Sequence, residues 1–270
     1  MSEVIKLSSP ATREFWELPV LFEDESLLAL DKPSRLLTSP DRYDAQRPNL
    51  MKLLHAGIER SAPWARQRGL TYLMNAHRLD FETSGVLLLA KSKPVLVALA
   101  NLFGAGQAAK EYIALVHGTP VNPSFEVDAK LAPHPVKVGL IRVDEKIGKR
   151  SRTLCELVEK FSGFSLVKCQ PLTGRTHQIR VHLRHAGLPL VGDVLYGGGP
   201  LLLSNLKSGY RLKQNKSERP LLDRVALHAA ELKLTHPVTN SEIVITAPWP
   251  KDLTVAVKYL RRYAPGTSVS

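Results

Sequence analysis

HRLDFETSGVLLLAKS, residues 77–92, is the most informative stretch of the sequence, because a polar loop leads directly into a continuous apolar run. The apolar run at residues 86–90 is typical of a strand buried on both faces. Residues 78–84 are therefore predicted to form the loop that feeds this strand. Loops held by a rigid scaffold often carry functional groups, and Asp80 lies in this one. The adjacent Arg78 would favour an ionised, nucleophilic carboxylate, and the alternative is an ordinary surface ion pair between the two side chains.

Short strand patterns occur along most of the chain and outnumber the helical ones. Strands are predicted at residues 20–22, 27–30, 110–117, 126–131, 139–143, 151–158, 165–169, 227–234 and 242–246. Helices are predicted at residues 50–58, at residues 93–103 with glycines as a stop signal, and within residues 174–187 with Gly187 at the C′ position. The pattern predicts an α+β fold with a mixed, largely antiparallel central sheet and flanking helices.

Composition favours an intracellular protein with a polyanionic partner. The 270 residues include 37 Lys and Arg against 25 Asp and Glu, a net charge of +12, which is suited to nucleic acid. A basic protein kept soluble by its own charge is the alternative. Two cysteines at no metal-like spacing indicate a reduced, cytoplasmic compartment. We expect no signal peptide and no membrane association, because no sufficiently long apolar run is present.

A second cluster of cations lies in GRTHQIRVHLR, residues 174–184. Arg175 is predicted at the start of a helix, where backbone N–H groups also attract anions. His177, Arg180 and Arg184 follow at spacings of three and four, so they are predicted to share one helix face that contacts phosphates. A solvated charged face is the alternative. Lys110 and Tyr112 open a predicted strand, and this short pattern alone equally fits a packed tyrosine.

Several long motifs together resemble the RluA family of RNA pseudouridine synthases. They are HRLDFETSG followed by VLLLAKS, then KEYIALVHG, LTGRTHQIRVHLRHAGLPLVGDVLYG and LHAAELKLTHPVT, and the resemblance runs from about residue 20 to about residue 248. It implies the pseudouridine synthase catalytic fold and an isomerase that needs no cofactor and no metal. The implied partner is structured RNA, either ribosomal or transfer RNA. Nothing in the sequence demands an oligomer or an obligate protein partner, so we expect a monomer.

The resemblance also implies a role for individual residues. Asp80 would be the nucleophile, Arg78 would displace the target base, Tyr112 would stack on the flipped uracil, Arg175 would pair with the nucleophile, and Leu227 would line the pocket. These roles are chemically consistent, because a uridine inside an RNA helix has to be flipped out before its glycosidic bond can be reached. A glycosylase that releases uracil and a non-enzymatic RNA-binding module are the competing interpretations.

The sequence also predicts how the chain is divided. Residues 1–18 are interpreted as a lead-in, residues 19–262 as one catalytic domain, and residues 263–270 as a C-terminal tail. Since about 18 residues are too few for a separate RNA-binding domain, RNA contacts are expected from the catalytic domain. An excursion at residues 198–220 is interpreted as a substrate-binding segment or, alternatively, as a tolerated surface insertion. Its cations are Lys207, Arg211, Lys213, Lys216 and Arg219.

Overall fold

A computed structural model describes residues 3–41, 44, 46–212 and 217–266 of the chain. The chain forms two compact units, each built from two separate segments. The first unit consists of Met1–Lys110 and Ala229–Pro248, and the second of Glu111–His228 and Trp249–Ser270. No helix among the described residues combines the length and the apolar character needed to cross a membrane.

The described residues form thirteen strands and six α-helices. The strands in chain order are β1 Val4–Ser9, β2 Glu14–Glu23, β3 Leu27–Lys32, β4 Met74–Asn75, β5 Ser84–Ala90, β6 Ala109–His117, β7 Ser124–Asp128, β8 Leu131–Pro133, β9 Ile141–Val143, β10 Arg152–Phe161, β11 Phe164–Pro171, β12 Leu227–Thr235 and β13 Glu242–Thr246. The helices are α1 Leu50–Glu59, α2 Pro63–Gln67, α3 Lys93–Gly104, α4 Gln178–His185, α5 Leu203–Leu206 and α6 Lys251–Tyr263, and a 3-10 turn spans Val194–Tyr196. The predicted α+β class with a largely antiparallel sheet is confirmed.

The first unit is a sheet in which β5 occupies a central position. Its strands follow the order β1-β2-β3-β5-β12, with β13 beside β12 and the short β4 on β5. Every residue of β5 is buried, as the apolar run predicted. Helix α3 covers one face, where Val95 and Leu99 contact Leu88 and neighbouring strand residues. A Ser92 hydroxyl caps the start of α3 by accepting from the Val95 N–H.

The predicted lead-in at residues 1–18 is wrong, because residues 4–9 form β1 and residues 14–18 form the start of β2. Ile5, Leu7 and Leu18 are buried, and β1 pairs with β2 along its whole length. The alternation of buried and exposed residues in β1 is the ordinary pattern of a strand with one covered face. The lead-in is therefore part of the first sheet.

The second unit contains a four-stranded antiparallel sheet in the order β6-β11-β10-β7 and a separate two-stranded ladder of β8 and β9. The strand predicted at residues 126–131 is divided between β7 and β8. Helix α4 ends at His185 with Ala186 as its C-cap, and Gly187 follows with φ +77°, so the predicted C′ glycine is confirmed. Helix α6 was not predicted, and the predicted tail at residue 263 begins within its last turn.

The described residues of the basic excursion, 198–212 and 217–220, form mainly irregular structure with the short helix α5. Lys213 and Lys216 lie outside the described residues. Lys207, Arg211 and Arg219 are described, and all three are exposed.

His77 connects the loop before β5 to the strand itself. Its Nε2 accepts a hydrogen bond of 3.0 Å from the Leu88 backbone N–H, and its ring packs against Phe103 of α3. A nitrogen that accepts must be unprotonated, so the ring is neutral with its proton on Nδ1. Burial, assisted by the charge of Lys110, lowers the pKa of His77 to about 3.

Gly85 at the start of β5 has φ +113°, and a Cβ built there would lie 2.1 Å from the Ala229 carbonyl oxygen. We expect Gly85→Ala to destabilise the first unit by about 3 kcal/mol, because the side chain meets rigid backbone in a conformation that L residues avoid. Gly69→Ala is the matched control, since Gly69 also has positive φ but nothing lies within 4 Å of its Cβ. Urea unfolding measures both, and equal losses would contradict the steric argument.

The depressed pKa of His77 predicts a loss of stability in acid. Below pH 6.5 the unfolded chain binds a proton at His77 while the folded chain does not, so the free energy of unfolding falls by up to about 1.4 kcal/mol per pH unit toward pH 3. We expect His77→Gln to remove this part of the pH dependence in urea unfolding between pH 6.5 and 5. The exposed His185→Gln variant should keep the wild-type slope. An unchanged slope in His77→Gln would show that His77 titrates normally.

Candidate active site

Asp80 lies in a loop whose backbone is fixed on both sides of it. The Thr38 hydroxyl accepts from the Leu79 N–H at 3.2 Å and donates to the Leu79 carbonyl at 3.0 Å. On the other side, the Arg35 N–H donates to the Phe81 carbonyl at 2.7 Å. The Asp80 carbonyl accepts from Thr83, which turns the chain into β5. These bonds hold the backbone of the loop on both sides of Asp80, and they make no use of the half-buried carboxylate.

The segment that supplies Thr38 is itself fixed by Lys32, a fully buried lysine at the end of β3. Its Nζ donates to the Pro33 carbonyl at 2.8 Å and to the Leu36 carbonyl at 2.7 Å. Sequence reasoning missed both residues. The signal available for Lys32 was a lysine ending an apolar strand immediately before a proline, and nothing marked Thr38.

Arg78 is exposed and lies two residues before Asp80 on the same loop. Within the described part of the chain the two side chains form no ion pair, so the structure does not support the alternative of a surface ion pair between them. The guanidinium therefore stays accessible to a ligand. Nearby, the Arg47 guanidinium lies 4.1 Å from the centre of the Phe81 ring, which covers one side of the loop.

Arg175 lies in the loop before α4, and the helix begins three residues later at Gln178, so the predicted position at the helix start is wrong. The Arg175 side chain is exposed, and its Nε lies 3.4 Å from the Arg150 carbonyl oxygen. The buried Gln178 side chain fixes the loop, because its Oε1 accepts from the Arg175 N–H at 3.1 Å and from the Thr173 hydroxyl at 2.7 Å.

The amide of Gln178 uses its two N–H groups as well. It donates to the Arg152 carbonyl at 2.9 Å and to the Thr153 hydroxyl at 3.0 Å. That hydroxyl lies 2.9 Å from Nδ1 of the buried His182, whose Nε2 lies 3.1 Å from the Ala129 carbonyl. Burial lowers the pKa of His182, which favours a neutral ring that donates from Nε2 and accepts at Nδ1. The Arg175 loop is therefore held by a continuous chain of satisfied polar groups.

The predicted shared cationic face of His177, Arg180 and Arg184 does not form. Arg180 points inward and makes a buried bidentate ion pair with Asp193, with both N–O distances at 2.7 Å, and its guanidinium lies over the Tyr196 ring. Phosphate contact by Arg180 is therefore corrected to a structural role, since its donors are directed into the protein. Arg184 is exposed and remains a candidate for phosphate contact.

His177 precedes α4 in the left-handed conformation, with φ +53°. Its Nδ1 lies 2.8 Å from the Tyr196 hydroxyl, and that oxygen also accepts from the Ile141 N–H at 3.0 Å. The Tyr196 hydroxyl therefore takes part in hydrogen bonds with both His177 and Ile141. The half-buried His177 thus connects the start of α4 to the 3-10 turn and to β9.

Tyr112 and Leu227 are both buried in the second unit. Tyr112 lies on β6 directly opposite Cys169 of β11. Leu227 opens β12, and its carbonyl accepts from the Arg224 guanidinium at 3.2 Å. The structure therefore places Arg78 and Asp80 on one loop of the first unit and the other predicted site residues in the second. The predicted pairing of Asp80 with Arg175 stays a prediction.

No group of three or more His, Cys, Asp or Glu side chains within the described ranges is arranged to hold a metal ion. Cys155 and Cys169 are free and buried, with their sulfur atoms 3.9 Å apart.

The family described as RNA pseudouridylate synthase matches residues 26–185. The chain is 35% identical over 247 residues to ribosomal large subunit pseudouridine synthase C of Salmonella typhi, covering 91% of this chain and 70% of the relative. It is 33% identical over 261 residues to ribosomal large subunit pseudouridine synthase D of Zymomonas mobilis, covering 95% and 77%.

A solved structure shares the fold. Human RNA pseudouridylate synthase domain containing 4 superimposes with a TM-score of 0.67 at 23% identity, over 90% of this chain and 92% of that protein. At this identity the solved structure supports the fold alone, whereas the family match and the sequence relatives show the family. The chain belongs to the RluA family of RNA pseudouridine synthases, the isomerases that convert uridine in RNA to pseudouridine.

Proposed function

We propose that this enzyme isomerises specific uridines of ribosomal RNA, with Asp80 as its nucleophile. The observation that carries the proposal is the set of hydrogen bonds to the backbone of Leu79 and Phe81. They orient Asp80 and make no use of its carboxylate oxygens. The relatives that are named for the large ribosomal subunit support ribosomal RNA as the substrate. Transfer RNA is the second candidate, and we further propose a cytoplasmic monomer.

The reaction breaks the bond between C1′ of the ribose and N1 of uracil, rotates the base, and joins C1′ to C5. A proton then leaves C5. The carboxylate of Asp80 either attacks C1′, as in a retaining glycosidase, or removes a sugar proton to give a glycal. Both routes require an ionised carboxylate close to the sugar and a base that has left its stack.

The remaining residues have roles that follow from their chemistry. The exposed Arg78, on the same loop as the nucleophile, would fill the space that the flipped base leaves in the RNA stack. Tyr112 would supply the aromatic face for the uracil ring, and Leu227 the apolar wall of its pocket. Arg175 would pair with Asp80 and keep it ionised, and Arg184 and His177 would contact phosphates. The basic excursion at residues 198–220 would add further RNA contacts.

Asp80→Asn should abolish turnover, lowering it by at least about 10⁴-fold, while folding and RNA affinity are retained. The amide is isosteric, and none of the backbone bonds that hold the loop depends on the carboxylate. Tritium release from RNA labelled at C5 of uridine measures turnover. Mapping pseudouridine in total RNA from cells with the gene intact, deleted, or complemented with either form identifies the substrate.

Three results would contradict this proposal. Release of free uracil by the wild-type protein would favour the glycosylase. Retained turnover in Asp80→Asn would show that Asp80 is not the nucleophile. If no pseudouridine site were lost on gene deletion, the RNA-binding module would be favoured.

Arg175→Ala and Arg184→Ala should separate catalysis from RNA contact. Arg175 pairs with the nucleophile in this proposal, so its removal should lower the single-turnover rate by about 100-fold at saturating RNA. Arg184 contacts phosphate only, so its removal should raise the RNA concentration needed for half-maximal rate and leave the saturated rate unchanged. Both side chains are exposed, and we expect thermal stability to change little in either variant.

An unchanged saturated rate in Arg175→Ala would remove Arg175 from the reaction. A lower saturated rate in Arg184→Ala would mean that Arg184 acts on the reacting groups as well.

A further inference from the structure

Helix α6 is held in a fixed position at both ends by arginine–carboxylate pairs. At its start, the buried Arg224 guanidinium makes two bonds to Asp252, of 2.7 and 3.0 Å. Near its end, Arg261 makes a bidentate pair with Glu159. The apolar side of the helix is buried through Leu253, Ala256, Val257 and Leu260. The opposite side of α6 is therefore presented as a rigid surface.

That surface carries two tyrosines one helical turn apart. The rings of Tyr259 and Tyr263 lie 5.8 Å apart between centroids, with an interplanar angle of 29°, so they are stacked. Both side chains are partly exposed, whereas the buried side of the same helix is wholly aliphatic. Because the two rings stack on each other, the platform that they offer to a further planar group consists of the outer faces of the pair.

Cations surround this platform. Lys207 Nζ, from the basic excursion, lies 5.8 Å from the centre of the Tyr263 ring, and the Arg262 guanidinium carbon lies 5.3 Å from it. Lys258 is exposed on the same helix. Within the described ranges, no carboxylate forms an ion pair with Lys207, Lys258 or Arg262, unlike Arg224 and Arg261. Among the residues that the structure describes, these positive charges therefore have no carboxylate partner.

Stacked aromatic rings beside unpaired cations are the two components with which proteins bind single-stranded nucleic acid, because bases stack on rings and cations neutralise phosphates. We propose that Lys207, Tyr259, Arg262 and Tyr263 bind a single-stranded segment of the substrate RNA outside the modified nucleotide. A duplex would expose its phosphates to the cations but would keep its bases from the tyrosine rings. The proposal rests on RNA being the substrate and adds a second contact to it.

The test is the affinity of the full chain for a fluorescein-labelled ten-nucleotide oligoadenylate, measured by fluorescence anisotropy. This RNA contains no uridine, so it offers the catalytic pocket no target. We expect Tyr259→Ala/Tyr263→Ala to weaken binding at least tenfold and Tyr259→Phe/Tyr263→Phe to remain within twofold of wild type, since phenylalanine keeps the rings. Lys207→Gln/Arg262→Gln should reduce the slope of log affinity against log salt by about 1.4.

The charge-matched control is Lys52→Gln/Arg66→Gln, which removes two exposed cations from helices of the first unit. A fall in salt slope equal to that of Lys207→Gln/Arg262→Gln would reduce the effect to overall charge and overturn the proposal. Wild-type binding by the double alanine variant, with circular dichroism and melting unchanged, would also overturn it. So would the absence of measurable binding to oligoadenylate by the wild-type protein.

The tritium-release assay keeps this inference separate from the proposed function. If wild-type protein and Asp80→Asn both bind oligoadenylate but neither forms pseudouridine, the proposed function fails and the α6 surface stands. If the double alanine variant binds oligoadenylate and turns over full-length RNA like wild type, the α6 surface fails and the proposed function stands.

Discussion

The hydrogen bonds between Thr38 and Leu79 set the condition on which the candidate active site depends. A carboxylate that acts as a nucleophile must be oriented closely, yet bonds to its own oxygens would reduce its reactivity. Here one hydroxyl serves as both acceptor and donor to the same residue, next to Asp80. The buried ammonium of Lys32 fixes the segment that supplies this hydroxyl. The carboxylate is thereby oriented by groups that take no part in the chemistry.

The second unit applies the same principle to a cation. The Gln178 side chain accepts two hydrogen bonds and donates two, all with groups of the surrounding loop and strand, and one of them fixes the backbone of Arg175. The guanidinium of Arg175 stays exposed, whereas that of Arg180 is fully engaged by Asp193. Two arginines five residues apart thus have opposite functions. One is kept available for a ligand, and the other stabilises the helix from within.

The sequence predicted the parts of the fold that depend on local patterns. The buried strand β5, the loop that carries Asp80, and the C′ glycine after α4 all follow from apolar runs and glycine conformations. The prediction that Arg180 contacts phosphate was wrong, because the spacing of charges identifies a shared helix face without saying whether that face is buried. Asp193, thirteen residues later, determines the answer. Helix α6 was missed although Leu253, Val257 and Leu260 have helical spacing after Pro250, and β1 was missed because its partner lies across a turn.

The discontinuous composition of both units has a consequence for how the chain is made. Residue 85 has to be glycine because a Cβ there would collide with the Ala229 carbonyl oxygen, and Ala229 is synthesised 144 residues later. The first unit needs residues up to Pro248 and the second needs helix α6 near the end of the chain. Synthesis must therefore pass residue 248 before the first unit is complete and pass helix α6 before the second unit is complete. The nascent chain must keep β5, an entirely buried strand, from premature pairing until its late partner emerges.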